Sequence, residues 1–348
     1  MKRFRRGLFV GKFCPLHRGH ELVLERARAQ CDGVLVVSYT KPEFARCEAA
    51  ARERWLKRRL PDATVLVLDD ERLAGLCAAK ALGARPLPHN EEGDDAHRAF
   101  MAWLCAEVLG DFPDAVFTSE GYGDGFAAAL SKGFTSARGS PMTVTHVSVD
   151  ATRSIARVSG TAVRGDPHGH RRFLAPEVYA AFVERVGILG GESTGKSTLA
   201  ELLAARLQTA WVAEYGRELW ERRNGRLDCE DMLHIARTQI EREEKAAETA
   251  NRWVICDTTA LTTRFYSEAL FGRVDQKLDR LAERRYDRIF LCAPDFEFVQ
   301  DGTRQPAEFR GRQHRWYLEQ LERRRWPFTL LTGDRSRRLA DAAVALGS

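Results

Sequence analysis

The chain of 348 residues has no C-x-x-C pair, no apolar run long enough to cross a bilayer and no dominant sign of charge. Each absence removes a class of protein. The eight cysteines (Cys14, Cys31, Cys47, Cys77, Cys105, Cys229, Cys256 and Cys292) are scattered, several inside apolar runs. They predict free buried thiols in a reducing compartment, not a disulfide scaffold. The basic start Met1-Lys2-Arg3-Phe4-Arg5-Arg6 is followed by a short apolar stretch that runs into a glycine turn, which suits neither a signal peptide nor a membrane span. The expectation is a cytoplasmic protein with no membrane insertion. The net charge of +5 is spread over 54 basic and 49 acidic side chains, interspersed along the chain. Taken alone it suits a polyanionic small substrate as readily as nucleic acid. The densest basic run, Arg323-Arg324-Arg325, reads as the solvated end of a helix. An H-x-x-H segment occurs at His17 and His20 without the glutamate of H-E-x-x-H, so a zinc hydrolase has little support. What the chain does have is length for two domains, each able to bury its own core.

The stretch with the sharpest chemistry is Gly190-Gly191-Glu192-Ser193-Thr194-Gly195-Lys196-Ser197, which fits the phosphate-cradling pattern G-x-x-x-x-G-K-[ST]. An apolar run, Val186-Gly187-Ile188-Leu189, leads in like a buried strand. Thr198 to Ala205 follows like a helix with Leu199, Leu202 and Leu203 on one face. The first N–H groups of a helix have no partner and lie at its positive end, so a strand, a glycine turn and a helix start make an anion site. Lys196 adds a mobile charge for the β- and γ-phosphates of ATP, and the Ser197 hydroxyl is placed to ligate Mg²⁺.

The first half opens on a second unit of this kind with different chemistry. Gly7-Leu8-Phe9-Val10 reads as a strand, followed by the turn Gly11-Lys12-Phe13-Cys14-Pro15-Leu16-His17-Arg18-Gly19-His20 and a helix from about Glu21 to Ala29. Imidazoles at a helix N-terminus can hold phosphate oxygens, although half a metal site or a pair of capping histidines would look the same. Further on, Val158-Ser159-Gly160-Thr161-Ala162-Val163-Arg164 supplies hydroxyls and a guanidinium, and Ser159 also reads as a helix N-cap. The turn resembles the H-x-G-H signature of the nucleotidylyltransferase superfamily, and the later segment resembles that family's I-S-x-T-x-x-R signature. The resemblance implies that His17, His20, Thr161 and Arg164 contact the phosphates of ATP, and that Lys12 matches the lysine of the subgroup reading G-K-F-x-P. Gly11, Phe13 and Ser159 belong to the same two motifs. Runs at Gly33–Ser38, Ala63–Leu68, Ala115–Ser119 and Met142–Val147 read as strands, with helices at Ala49–Leu60 and Asp95–Leu109 between them. This alternation predicts a doubly wound, mainly parallel α/β sheet with ligands outside the strand carboxyl ends. Thr118-Ser119-Glu120-Gly121 lies at such an end. Trp55 and Trp103 are candidate platforms for a stacked pyridine ring, although both fit ordinary helix packing better.

Gly165 to Arg172 reads as a polar loop whose His168 and His170 are solvated. A helix from Ala175 through Val183 then leads into the P-loop strand, dividing the chain into 1–183 and 184–348. In the second half, Ala210-Trp211-Val212-Ala213 is a strand tipped by Glu214, and Trp253-Val254-Ile255-Cys256 is a strand tipped by Asp257. An acid after such a strand faces the Mg²⁺ shell in P-loop proteins. Either Glu214 or Asp257 could take the proton of a substrate hydroxyl. Two further strands run over Arg288–Cys292 and Phe328–Leu331. Between them the arginine-rich segment from Asp301 to Arg312 reads as a lid, with Arg304 reaching the transferring phosphoryl group.

The fusion of these modules resembles the bifunctional nicotinamide mononucleotide (NMN) adenylyltransferase/ribosylnicotinamide kinase family, across nearly the whole chain. The match is closest at Gly11–His20, at the P-loop from Ile188 through Ser197, and at Glu214-Tyr215-Gly216-Arg217-Glu218; Thr198 follows as a further expected nucleotide contact. It extends to Asp257-Thr258, Thr262-Thr263 and Asp301-Gly302-x-Arg304. The aromatic that the family carries before E-Y-G-R is Ala213 here, with Trp211 nearby, and no N-terminal helix-turn-helix segment is expected. The resemblance implies a Rossmann-like adenylyltransferase domain joined to a P-loop kinase domain. Its expected ligands are nicotinamide riboside, NMN, ATP with Mg²⁺, and product NAD; no nucleic acid partner is expected, and a homo-oligomer stays open. Two rivals share the motifs: a kinase and adenylyltransferase acting on another pair, such as pantetheine phosphate beside a different nucleoside, or a nucleotide-binding sensor of pyridine-nucleotide uptake.

Overall fold

The Gly7–Val10 run lies inside β1 (Phe4–Gly11), which sits at the centre of a sheet. The computed structural model describes residues 2–152, 154–295, 297–298 and 307–347, with the side chain of residue 307 outside that set. The chain divides into two compact units, Met1–Ala181 and Phe182–Ser348.

In the first unit β1 is followed by α1 (Arg18–Gln30), β2 (Cys31–Tyr39), α2 (Ala49–Arg59), β3 (Thr64–Leu68), α3 (Asp70–Ala79) and α4 (Asp94–Trp103). The last runs into a π-helical turn at Leu104–Leu109, so the single helix expected over Asp95–Leu109 widens in its final turns. Next come β4 (Ala115–Thr118), α5 (Gly123–Arg138), β5 (Thr145–Ser148), α6 (Gly160–Gly165) and a four-residue α7 (Pro176–Tyr179). The strands are all parallel in the order β3-β2-β1-β4-β5. Strand order therefore reverses between β1 and β4, where the chain crosses to opposite sides and leaves a crevice beyond the strand carboxyl ends. Leu8, Leu35, Val37 and Val116 from three neighbouring strands meet Leu104, Phe126, Leu130 and Phe134 in one core. Parallel strands covered on both faces carry such near-continuous apolar runs.

The second unit holds β6 (Glu184–Gly190), α8 (Lys196–Leu207), β7 (Ala210–Val212), α9 (Tyr215–Arg222), α10 (Cys229–Ala247) and β8 (Trp253–Asp257). It continues through α11 (Ala260–Phe271), α12 (Gln276–Ala282), β9 (Arg288–Cys292), α13 (Ala307–Arg323), β10 (Thr329–Leu331) and α14 (Arg335–Ala345). This sheet is also fully parallel, ordered β10-β9-β6-β8-β7, with the P-loop strand in the middle. Val186 and Ile188 of β6 are fully buried against Leu199 and Leu203 of α8, Ile255 of β8 and Phe290 of β9.

Three local expectations need correcting. The helix expected through Val183 stops at Tyr179, and the Glu184 N–H donates to the Arg252 carbonyl at 2.8 Å, drawing the chain into β6. Arg324 is not a solvated cation: its side chain is 6% exposed and pairs with Glu283 at 2.6 Å. Nor are the loop histidines merely solvated. His168 Nδ1 shares a hydrogen bond with the Tyr179 hydroxyl at 2.8 Å, and His170 Nδ1 contacts the Asp166 carbonyl at 2.9 Å. All eight cysteines are unpaired, and all but Cys229 are buried. No helix among the described residues is long and apolar enough to cross a membrane.

Candidate functional site

At the β1/β4 switch point a cavity of about 490 Å³ opens, lined by Gly11, Lys12, Phe13, His17, His20, Ser159, Thr161 and Arg164. The two motifs, well separated in sequence, thus face one space. His17 is the N-cap of α1, and its side chain and that of His20 reciprocally cap the first turn, His20 Nδ1 accepting from the His17 N–H at 3.3 Å. The two rings stack with centroids 3.7 Å apart, and Phe13 packs edge-on against His20 at 4.9 Å. Capping and phosphate reach are therefore compatible roles for the same imidazoles. Ser159 caps α6, its hydroxyl accepting from the Ala162 N–H at 3.2 Å. Arg164 donates to the Cys14 carbonyl and, at 3.2 Å, to the Thr161 hydroxyl, while its guanidinium lies 4.1 Å above the Phe44 ring. A side chain on Gly160 would come within 2.9 Å of the Cys14 carbonyl oxygen, so only glycine lets α6 close onto the first turn.

Sequence reasoning missed the far wall of this cavity. Tyr39, Asn90, His97, Arg98 and Tyr122 line it, and the Tyr39 hydroxyl shares a hydrogen bond with His97 Nδ1 at 2.9 Å. Burial, followed by the Lys12 charge, lowers the His97 pKa, and burial raises that of Tyr39. A usable signal existed: Tyr39 ends an apolar strand run, and ligands in such sheets bind beyond strand ends. Trp55 and Trp103 do not line the cavity. Trp55 is buried, and Trp103 packs on the core beneath the Arg85 guanidinium.

In the second unit the loop between β6 and α8 closes on itself. The Lys196 ammonium donates to the Gly191 carbonyl at 2.9 Å, and the Thr194 hydroxyl donates to the same oxygen at 2.7 Å. Gly195 caps α8 in the left-handed region at φ 77°, and Ser193 lies there too at φ 56°. A Cβ on Gly190 would meet the Thr194 hydroxyl at 2.7 Å, so the turn is packed tightly from within. Lys196 also lines a pocket of about 140 Å³ with Glu192, Glu214, Arg217, Trp220, Thr262 and Tyr266. The Tyr266 hydroxyl donates to Glu192 Oε1 at 2.8 Å, and Gln313 of α13 accepts from the Glu192 N–H at 3.1 Å. Trp220 and Tyr266 are the aromatics of this pocket; Trp211 is exposed and does not line it.

The electrostatics separate the two candidate acids. Asp257 is 2% exposed and hydrogen-bonds the Ser197 hydroxyl, yet its Oδ1 has no hydrogen-bond partner. Burial raises its pKa, opposed by Lys196, the Ser197 bond and Arg217. Glu214, the N-cap of α9 just beyond β7, is pushed up by burial and then by the Asp257 charge, with Lys196 and Arg217 pulling it down. Glu214 lines the pocket whereas Asp257 sits behind it against Ser197. No group of three or more His, Cys, Asp or Glu side chains able to hold a metal occurs among the described residues. Arg304 lies outside the described residues.

The chain is similar to known proteins in sequence and in fold. Residues 185–338 match the family model of an AAA domain. The chain is 28% identical over 307 residues to the trifunctional NAD biosynthesis/regulator protein NadR of Escherichia coli (strain K12), covering 86% of this chain and 71% of that protein. It is 29% identical over 315 residues to the protein of the same description from Salmonella typhimurium (strain LT2), with the same coverage. A crystal structure of NadR in complex with NR superimposes with a TM-score of 0.69 at 23% identity, covering 98% of this chain and 95% of the other. One of NadR in complex with NAD and AMP-PNP gives 0.69 at 21% identity, covering 99% and 96%. The likeness to the solved structures is one of fold, two α/β units with parallel sheets.

Proposed function

We propose, with homology to NadR over 86% of the chain as the premise, that this protein makes NAD in two ATP-dependent steps. The second unit, near residues 184–348, phosphorylates nicotinamide riboside to NMN. The first, near residues 1–183, joins NMN to the adenylyl group of ATP and releases pyrophosphate. The observation that carries this reading is that each half has its own cavity bordered by motif residues, Lys12, His17, His20, Thr161 and Arg164 in the first and Glu192, Lys196, Glu214 and Arg217 in the second.

In the kinase step the 5′-hydroxyl of the riboside attacks the γ-phosphorus and the bond from that phosphorus to the β–γ bridging oxygen breaks. Glu214 takes the hydroxyl proton, being the one of the two candidate acids that faces the pocket, with burial raising its pKa. The loop N–H groups and Lys196 hold the phosphates, Lys196 exchanging its contact to the Gly191 carbonyl for the nucleotide. Arg304, carried over by the motif resemblance, would add positive charge at the γ-phosphoryl group. Ser197 and Asp257 would hold a Mg²⁺, which would neutralise phosphate charge there, and the orphaned Asp257 Oδ1 fits that role. Tyr266 and Trp220 offer π faces to the pyridinium ring.

In the adenylyl step an NMN phosphate oxygen attacks the α-phosphorus, and the α–β bridging bond breaks to free pyrophosphate. Lys12, His17, His20, Thr161 and Arg164 hold the triphosphate and stabilise charge on the departing oxygens, so the acceleration rests on positioning and electrostatics. ATP and unpaired thiols both suit the cytoplasm, which the reading includes. Purified protein given nicotinamide riboside, ATP and Mg²⁺ should form NMN and then NAD. Lys196→Ala should abolish NMN formation and spare NMN-to-NAD conversion, and His20→Ala should do the reverse. A wild-type protein that makes neither product removes the proposal.

A further inference from the structure

Among the described residues the two largest fully buried side chains are arginines, Arg52 in the first unit and Arg338 in the second. Burying a guanidinium is costly unless its N–H groups are bonded, so two such residues call for a reason. Neither is in the motifs, and neither lines a cavity among those described above. Arg338 instead bonds a carbonyl of one phosphate turn directly, and Arg52 is linked to a carbonyl of the other through the Ser38 hydroxyl.

Arg338, on α14, donates through Nη1 to the Thr194 carbonyl at 2.8 Å, through Nη2 to the Ala293 carbonyl at 2.9 Å and through Nε to the Gly333 carbonyl at 2.9 Å. Asp295 pairs with it. The Thr194–Gly195 peptide is trans, so its carbonyl and the Gly195 N–H point in opposite directions. Holding the carbonyl outward on the guanidinium aims that N–H toward the cradle. Arg52, on α2, donates to the Ser38 hydroxyl at 2.7 Å, and Ser38 donates in turn to the Lys12 carbonyl at 3.2 Å. Its other arm pairs with Glu43 at 2.7 Å. The relay fixes the peptide that carries Lys12 and enters Phe13, itself in the left-handed region at φ 49°.

We propose that Arg338 and Arg52 are positioning residues for phosphoryl and adenylyl transfer respectively, each holding a phosphate turn in its anion-accepting form through a backbone carbonyl behind it. The donors of an anion site act best when their orientation costs no rearrangement on binding. A turn whose carbonyl is released can rotate that peptide, presenting oxygen where a phosphate must sit. The inference rests on the two-step reading above.

The test uses the full-length protein and both reactions, each serving as the folding control for the other. Arg338→Met should raise KM for ATP in riboside phosphorylation by about tenfold or more, the worth of a charged hydrogen bond. KM for nicotinamide riboside and the whole NMN-to-NAD reaction should stay at wild-type values. Arg52→Met should reverse the pattern, weakening ATP only in adenylylation. Arg338→Lys, which keeps the charge but loses the fork, should recover part of the loss, and Ser38→Ala should reproduce Arg52→Met more mildly. These two milder variants carry the test if either methionine variant fails to fold. Unchanged KM for ATP in folded variants overturns the inference, as does an equal fall in both reactions. If wild type performs neither reaction, the two-step reading fails instead, and calorimetric titration with a non-hydrolysable ATP analogue still reports whether Arg338→Met weakens one site.

Discussion

Glu214 lies just past β7 and Asp257 ends the neighbouring β8, both near one lysine, and the sequence offers them as equals. Burial tells them apart, because only Glu214 borders the small pocket while Asp257 is held against Ser197. Glu214→Gln keeps the volume and removes the proton acceptor. It should lower kcat for riboside phosphorylation by about 10²–10⁴, the usual worth of a general base, with KM for the riboside little changed, as initial-rate measurements would report. The aromatic platform was harder to read. Trp55 and Trp103 stand out by residue type, yet both are packing residues of α2 and α4. Tyr266 reaches the pocket through a hydrogen bond to Glu192, far away in sequence, which no helical period reveals. Tyr266→Ala should raise KM for nicotinamide riboside by about tenfold, the scale of a desolvated cation–π contact, with NMN adenylylation unaffected. A wild-type KM in that variant would move the pyridine ring elsewhere.

The short α6 carries Thr161 and Arg164, two of the side chains proposed to hold phosphate, and its placement depends on close backbone approach. The six-residue α6 presents Thr161 and Arg164 to the cavity only because Gly160 sits against the Cys14 carbonyl. Gly160→Ala forces that contact apart, an overpacking effect of about 1–3 kcal/mol. The expected result is a lower melting temperature for the first unit and a raised KM for ATP in adenylylation, with riboside kinetics preserved. Both glycine turns and the strands leading into them were legible because apolar runs and motif spacing agree at those points. Helix α5 was not, and the reason is physical: Gly123, Gly125 and Gly133 lower its intrinsic propensity. They are there because Gly123 lies directly under the His146 ring and Gly133 against Ala102, so tertiary packing overrides the local preference. Helix α3 is capped by Asp69, whose carboxylate accepts from the Arg72 N–H at 2.7 Å, a signal present in the sequence as an aspartate after a strand.

At the scale of the whole molecule, two five-stranded parallel sheets each place a motif-bearing turn at the end of the central strand, and that repetition was readable from the order of runs and motifs. The buried ionic groups away from the sites were not readable, since charge in a sequence gives no sign of burial. Glu243 of α10 is the chief example. It is fully buried, accepts the Tyr286 hydroxyl, and faces Arg284, Arg185, Glu244 and the Cys256 thiol. Burial pushes its pKa up to about 7, with Arg284 and the Tyr286 hydrogen bond pulling the other way. The folded chain therefore keeps a proton that the unfolded chain gives up near pH 4.5. By linkage this stabilisation is fully present below pH 4.5 and is lost as pH rises toward 7. The loss is roughly 3 kcal/mol if the whole shift is expressed. Glu243→Gln retains an acceptor for Tyr286 and cannot ionise. Urea unfolding at pH 5 and pH 8 should give the variant nearly wild-type stability at the lower pH and a gain over wild type at the higher one. Parallel profiles for the two proteins would mean that Glu243 is already ionised in the fold, with Arg284 compensating it fully.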